Sequence, residues 1–196
     1  MQDRLATLVG SRICHDLISP IGAIGNGVEL LELTGASSGS ELSLISESVQ
    51  NANARIRFFR IAFGAAYGDQ IISRKDVLSI LTANARGGRL TYYWQAEGEH
   101  RRDEVRIAFL LLLCFETAMP TGGEVTVQRD GEDWVMTAVS DRLKIDEEPW
   151  NGLTHMGSSI DYSASHVQFA MLPTVMAGSH RKLRTDISAT QIVARF

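Results

Sequence analysis

The chain has 196 residues, of which 44% are hydrophobic and 21% charged, with a formal net charge of −4. These values are typical of a globular protein with one medium domain or two small ones, and the acidic balance argues against nucleic acid as a partner. The longest apolar run, residues 107–115, is too short to cross a bilayer, and the first residues lack the pattern of a secretion signal. We therefore expect a cytoplasmic protein with no membrane contact.

Residues 1–67 carry the pattern of two long amphipathic helices. The turn-prone segment 34–40 separates them, and the capping-box spacing of Ser38 and Glu41 predicts the start of the second. Apolar positions recur every three or four residues, as on one face of a helix. The first stripe comprises Ala6, Val9, Ile13, Leu17, Pro20, Ile24, Val28 and Leu31; the second comprises Leu42, Ile45, Val49, Ala52, Ile56, Phe59 and Phe63.

Two helices cannot enclose a core alone. We therefore expect these stripes to meet their copies in a second chain, forming a four-helix bundle in a homodimer. The alternative is that the stripes pack on the remainder of the same chain.

Residues 76–196 alternate between helix and strand patterns. Helices are predicted over residues 75–87, 103–118 and 163–179, the last with Gly178 near its C-cap. Strands are predicted over residues 89–96, in a hairpin over 122–141 that turns at Asp130–Gly131, and in two segments near the C-terminus. The expected fold is α+β, with a helical hairpin over residues 1–70 followed by an α/β sandwich over 71–196, its helices on one face of a mostly antiparallel sheet.

His15 lies in the middle of the first predicted helix, roughly opposite its apolar stripe, so its imidazole should point to solvent. A helix built only for packing would not need Gly22 and Gly25, which each cost about 1 kcal/mol relative to alanine, or Pro20, which costs about 3 kcal/mol. The competing interpretation is a surface histidine on a poorly optimised helix. Because Asp16, Pro20 and the glycines occur together, we favour a face cleared for another protein.

An exposed neutral imidazole is suited to attack on phosphorus, and Asp16 beside it can orient a ring nitrogen or hold its proton. His15 and Asp16 are therefore the candidate catalytic residues. A partner that brings its own Mg²⁺ could supply most of the remaining machinery. The predicted docking surface comprises Leu8, Ser11, Arg12, Ile18, Ser19, Gly22 and Asn26.

The run 15–24, with its histidine, adjacent acidic residue and proline five positions on, resembles the H-box of sensor histidine kinases. The hairpin resembles their dimerisation and histidine-phosphotransfer domain, and the second region resembles their ATP-binding domain of the Bergerat (GHKL) type. The chain departs from the kinases where nucleotide would bind. Glu116 of the N-box is kept, but Leu113 and Thr117 stand at the asparagine positions, and the glycines expected near Asp141 and before residue 163 are missing.

A kinase-like scaffold with its histidine intact and its ATP site eroded resembles the dimeric histidine phosphotransferases. That resemblance implies a phosphorelay intermediate, which takes a phosphoryl group from the aspartate of one receiver domain, often on a hybrid histidine kinase, and passes it to the aspartate of a response regulator. It also implies no cofactor of its own, no ATP, and Mg²⁺ on the partner receiver. The alternative is a kinase-like scaffold or anti-sigma-type interaction protein without phosphotransfer.

The remaining side chains with possible chemistry have weaker claims. His100, His155, His166 and His180 are expected in surface or structural roles. Cys14 and Cys114 lack the spacing of a redox pair and are expected to be buried free thiols. No set of histidine, cysteine and carboxylate residues has metal-ligand spacing, so no metal site is expected.

Overall fold

A computed structural model describes residues 2–34, 39–66, 70–154 and 160–196. Two long helices come first, and a region of sheet and helices follows. The helices are α1 (Gln2–Thr34), α2 (Gly39–Ala62), α3 (Arg74–Arg86), α4 (Arg102–Ala118), α5 (Glu147–Gly152) and α6 (Val167–Gly178), the last preceded by a 3-10 turn (Ala164–His166). The strands are β1 (Ile71–Ser73), β2 (Leu90–Trp94), β3 (Glu99–Arg101), β4 (Gly123–Asp130), β5 (Asp133–Val139), β6 (Arg184–Ile187) and β7 (Gln191–Arg195).

The main sheet has five strands in the order β2-β4-β5-β7-β6. The β2–β4 pair is parallel and the other three pairs are antiparallel. The predicted hairpin turns through Gly131, whose φ of 62° favours glycine, and pairs Asp130 with Asp133. The α+β fold with an N-terminal helical hairpin is therefore confirmed.

Three short elements were not predicted from the sequence. Strands β1 and β3 pair antiparallel in a separate two-stranded sheet, and α5 is a six-residue helix. Segments of this length are too short to show the regular spacing of apolar residues that identifies a helix or a strand. The start of α3 is better marked, because the Ser73 side chain accepts a hydrogen bond from the Asp76 amide at 3.1 Å.

Helix α1 packs closely on α2 near its distal end. Gly27 is buried there, and a Cβ at that position would lie 2.6 Å from Cγ1 of Ile45. The absence of a side chain at residue 27 therefore lets the two helices approach. The capping residue Ser38 lies outside the described residues.

The hairpin and the sheet region share one hydrophobic core, centred on the almost fully buried α4. Phe58 and Phe59 of α2 belong to this core, and Val9 and Ile13 of α1 pack against it. Part of each apolar stripe thus packs within the chain, as the alternative interpretation expects.

One expectation about burial was wrong. Cys14 is exposed, whereas Cys114 is buried, and burial raises the pKa of the Cys114 thiol. His100 has a structural position in β3, where its ring contacts those of Trp94 and Trp134. His155 lies outside the described residues. No helix in the part of the chain that the structure describes is both long and apolar enough to span a membrane.

Candidate functional site

His15 projects from the middle of α1, with 85% of its side chain exposed, as the helical period predicts. Its Nδ1 lies 3.1 Å from Oδ1 of Asp16. Because a carboxylate can only accept a hydrogen bond, this contact is a hydrogen bond in the tautomer that carries the ring proton on Nδ1. The lone pair of Nε2 is then available to an incoming phosphorus atom.

Asp16 lies on the inner side of α1, and only 12% of its side chain is exposed. Its Oδ2 accepts hydrogen bonds from Arg12 Nε at 3.2 Å and from Arg55 Nε and Nη2 at 3.1 and 2.6 Å. Burial alone would raise the pKa of Asp16. The charges of Arg12 and Arg55 and the hydrogen bonds from Arg55 and His15 outweigh burial, and the pKa lies below its ordinary value.

Arg55 connects this site to the sheet region. It donates to Oε2 of Glu116 on α4 at 3.0 Å, and its guanidinium lies 4.7 Å from the ring centre of Phe59. Burial would lower the Arg55 pKa, but Glu116 and Asp16 raise it, so the guanidinium stays charged. Asn84 extends the chain of contacts, since its Nδ2 donates to the Tyr92 hydroxyl at 3.2 Å.

A cleft of about 970 Å³ lies between the hairpin and the sheet region, with His15 among its lining residues. Residues of α1 and α2 form one side, and α3, the end of α4 and the segment 163–166 form the other. The imidazole can therefore meet a partner that touches both parts of the chain.

Most of the predicted docking residues are exposed. These are Ser11, Ile18, Ser19, Gly22 and Asn26. A Cβ at Gly22 or Gly25 would meet no atom within 4 Å, so these glycines are not required by packing within the chain.

Two predicted docking residues are partly buried, although Arg12 still lines the cleft with His15. Leu8 is partly buried against the hydrophobic core. Arg12 is only 12% exposed, since it binds Asp16 and donates through Nη1 to the carbonyl of Ser165 at 2.9 Å. The apolar core and this ion pair turn both side chains away from solvent. The sequence reasoning also missed Ile21, which is 58% exposed and lies three residues from the exposed Ile18 on the same helix.

The residues at the two asparagine positions of the N-box are engaged within the protein, Leu113 by packing and Thr117 by hydrogen bonds. Leu113 is fully buried. Thr117 donates to the Leu113 carbonyl at 3.0 Å and accepts from the buried Gln168 at 2.9 Å, which joins α4 to α6. Asp141, near which the resemblance to the kinases predicts glycines, is exposed. Within the described residues, no group of three or more metal-ligating side chains could hold an ion.

The architecture and the site together, a helical hairpin that exposes one histidine beside a five-stranded sheet with helices, are those of a phosphotransfer class of protein. Residues 74–191 match the family described as histidine phosphotransferase C-terminal domain. The chain therefore belongs to the histidine phosphotransferase family.

Two relatives support this assignment. The protein phosphotransferase ChpT of Brucella abortus (strain 2308) is 40% identical over 131 residues, which cover 66% of this chain and 62% of that protein. The alignment thus spans less than two thirds of the relative's length. A solved structure described as a bacterial phosphotransferase is 31% identical, covers 100% of this chain and 96% of its own, and superposes with a TM-score of 0.83.

Proposed function

We propose that this chain is a phosphorelay intermediate that accepts a phosphoryl group on Nε2 of His15 and passes it to an aspartate of a receiver domain. The observation that carries the proposal is the exposed imidazole whose Nδ1 contacts Asp16 at 3.1 Å. This contact leaves Nε2 as the ring nucleophile.

The reaction moves one phosphoryl group and no net proton. The Nε2 lone pair forms a bond to phosphorus, the bond between phosphorus and the donor's carboxylate oxygen breaks, and that oxygen takes the bonding electrons. The ring becomes an N-phosphorylated cation that keeps its Nδ1 proton, and the Asp16 carboxylate beside it stabilises the charge. Attack by the acceptor's carboxylate reverses these events and returns neutral His15.

The partners in this proposal are receiver domains, one on a hybrid histidine kinase and one on a response regulator. The receiver docks over Ser11, Ile18, Ser19, Gly22 and Asn26, where Ser11, Ser19 and Gly22 are small and Ile18 offers an exposed apolar contact. Close approach matters because the reacting atoms must come within about 3–3.5 Å. The receiver supplies Mg²⁺, and this chain supplies no cofactor and uses no ATP.

The active form is a homodimer joined through exposed apolar residues of α1 and α2. Leu42, Val49 and Ile56 follow one another at seven-residue intervals on α2 and are 49%, 40% and 41% exposed in a single chain. An apolar stripe with this spacing is typical of a helix that packs on another helix. Val28 and Leu30 of α1 are likewise exposed, which extends the apolar surface across both helices.

The test is to incubate the protein with a phosphorylated receiver domain and to look for acid-labile, base-stable label. The wild type should take up label, and the H15A variant should not. H166A is the matched control, because His166 is a second imidazole lining the same cleft. Label that persists on H15A, or that is lost on H166A alone, would contradict the assignment.

A further inference from the structure

We propose that Arg55, held by Glu116, is a positioning residue that fixes the Asp16 carboxylate so that it orients the His15 ring for phosphoryl transfer. The inference rests on the proposed role of His15. It gives Glu116, the retained acidic residue of an otherwise eroded nucleotide motif, a place in the phosphotransfer site.

The first step of the argument is how the two oxygens of Asp16 are used. Oδ2 accepts two hydrogen bonds from Arg55 and one from Arg12, whereas Oδ1 contacts Nδ1 of His15. Two donors from one planar guanidinium converge on the same oxygen and limit rotation of the carboxylate. Arg55 thus determines which oxygen faces the imidazole.

The second step is what holds Arg55. Its Nη2 also donates to Glu116 at 3.0 Å, its Nη1 lies 3.5 Å from Oδ1 of Asn84, and its guanidinium stacks against Phe59. Only 14% of the Arg55 side chain is exposed. A charged contact chain therefore runs from Glu116 on α4 through Arg55 on α2 to Asp16 and His15 on α1.

The third step is the chemical consequence for the ring. Burial of Asp16 alone would raise its pKa, but the charges of Arg12 and Arg55 lower it, so this carboxylate is a weak base. It accepts a hydrogen bond from Nδ1 without removing the proton. After phosphorylation the ring stays cationic, and a cationic imidazole is a better leaving group for the second transfer than a neutral one.

A merely structural role for Arg55 makes a different prediction. The same contacts join three helices, so their loss could lower stability without changing the ring. The tautomer of His15 separates the two roles, since it can be read from nitrogen–proton correlation spectra of the unphosphorylated protein. A role in positioning requires a shift of the proton away from Nδ1, and a role in stability alone does not.

The experiment compares R55Q, R55K and E116Q with the control R57Q, using phosphorylated receiver as donor. Arg57 lies on the same helix but is exposed and bonds Ser79 instead. We expect R55Q and E116Q to lower the fraction of His15 that is protonated on Nδ1. Transfer should slow by about 10- to 100-fold, the effect typical of groups that orient a histidine ligand through its second nitrogen. R55K should restore part of the rate, and R57Q should match the wild type.

A second comparison places E116Q in a D16N background. If Glu116 acts through Asp16, E116Q should slow D16N no further. Glu116 is 35% exposed, so E116Q provides the test even where R55Q fails to fold.

The inference is overturned if R55Q and E116Q keep the wild-type tautomer, or if the effects of E116Q and D16N on the rate multiply. Loss of transfer with an unchanged tautomer and a lowered melting temperature also overturns it. A wild type that takes no label would instead reject the proposed function, and the tautomer spectra would still report on Arg55.

Discussion

Replacement of Gly22 tests the docking surface most directly, because the structure separates bulk from helix stability there. A Cβ at residue 22 would meet no atom within 4 Å, so both alanine and arginine can be accommodated. Each residue favours helix over glycine by up to about 1 kcal/mol. For a chain of this size, that gain corresponds to a rise in melting temperature of about 2–4 °C.

The effect on transfer should differ between the two variants. Alanine adds little bulk and should leave the transfer rate near that of the wild type. Arginine holds the receiver away from His15, and loss of a central contact costs about 2 kcal/mol or more, which corresponds to roughly 30-fold. The transfer rates are measured from quenched time courses of phosphoryl transfer from a phosphorylated receiver. The melting temperatures are measured by circular dichroism.

A small donor such as phosphoramidate provides the control, because it needs no docking surface. G22R should accept phosphoryl from this donor as readily as the wild type does. Equal impairment of receiver transfer in G22A and G22R would refute the docking argument and assign Gly22 to bending of α1 near Pro20.

Four further outcomes are expected. The free energy of unfolding of H15A should lie within about 0.5 kcal/mol of the wild-type value, because the side chain is 85% exposed. The same variant should lose all phosphoryl uptake. Calorimetry should detect no binding of Mg-ATP, because Leu113 and Thr117 replace asparagines; micromolar binding would contradict this. The wild type should be a dimer by light scattering, and I56E should shift it toward monomer, since it places a charge in the apolar stripe; a monomeric wild type would refute the bundle. The Asp16 pKa is lowered in the folded chain, so the unfolded chain binds the proton more readily, and stability should fall as pH drops below about 4; D16N should flatten this dependence in urea titrations.

The sequence was most informative about local periodic features. The spacing of apolar residues predicted both long helices and the solvent-facing side of α1, and therefore the exposure of His15. The contact between His15 and Asp16 involves adjacent residues, so it too could be anticipated. These features depend on helix geometry rather than on how distant segments meet.

The contacts that complete the site depend on tertiary folding. Arg55 lies 39 residues from Asp16 and 61 from Glu116 in sequence, so no local pattern could pair them. The partial burial of Leu8 and Arg12 has the same origin. Helix geometry placed them near the exposed face, but the sheet region covers that end of α1.

The retained Glu116 was a usable signal. Glu116 matches the acidic residue of the N-box in the kinase resemblance, and an acidic residue at the end of a buried helix needs a basic partner. The arginine that fulfils this role could only be identified once α2 and α4 were placed side by side.

The shared core that includes Phe58 and Phe59 has a kinetic consequence under the proposed function. Because α2 shares a hydrophobic core with the sheet region, the cleft beside His15 is already formed before a partner binds. One cleft with one imidazole cannot hold the donor and the acceptor at once, so each protomer should work by a ping-pong scheme in which the first partner leaves before the second arrives. Turnover is then bounded by how fast partners dissociate, and very tight binding to either one would slow the relay.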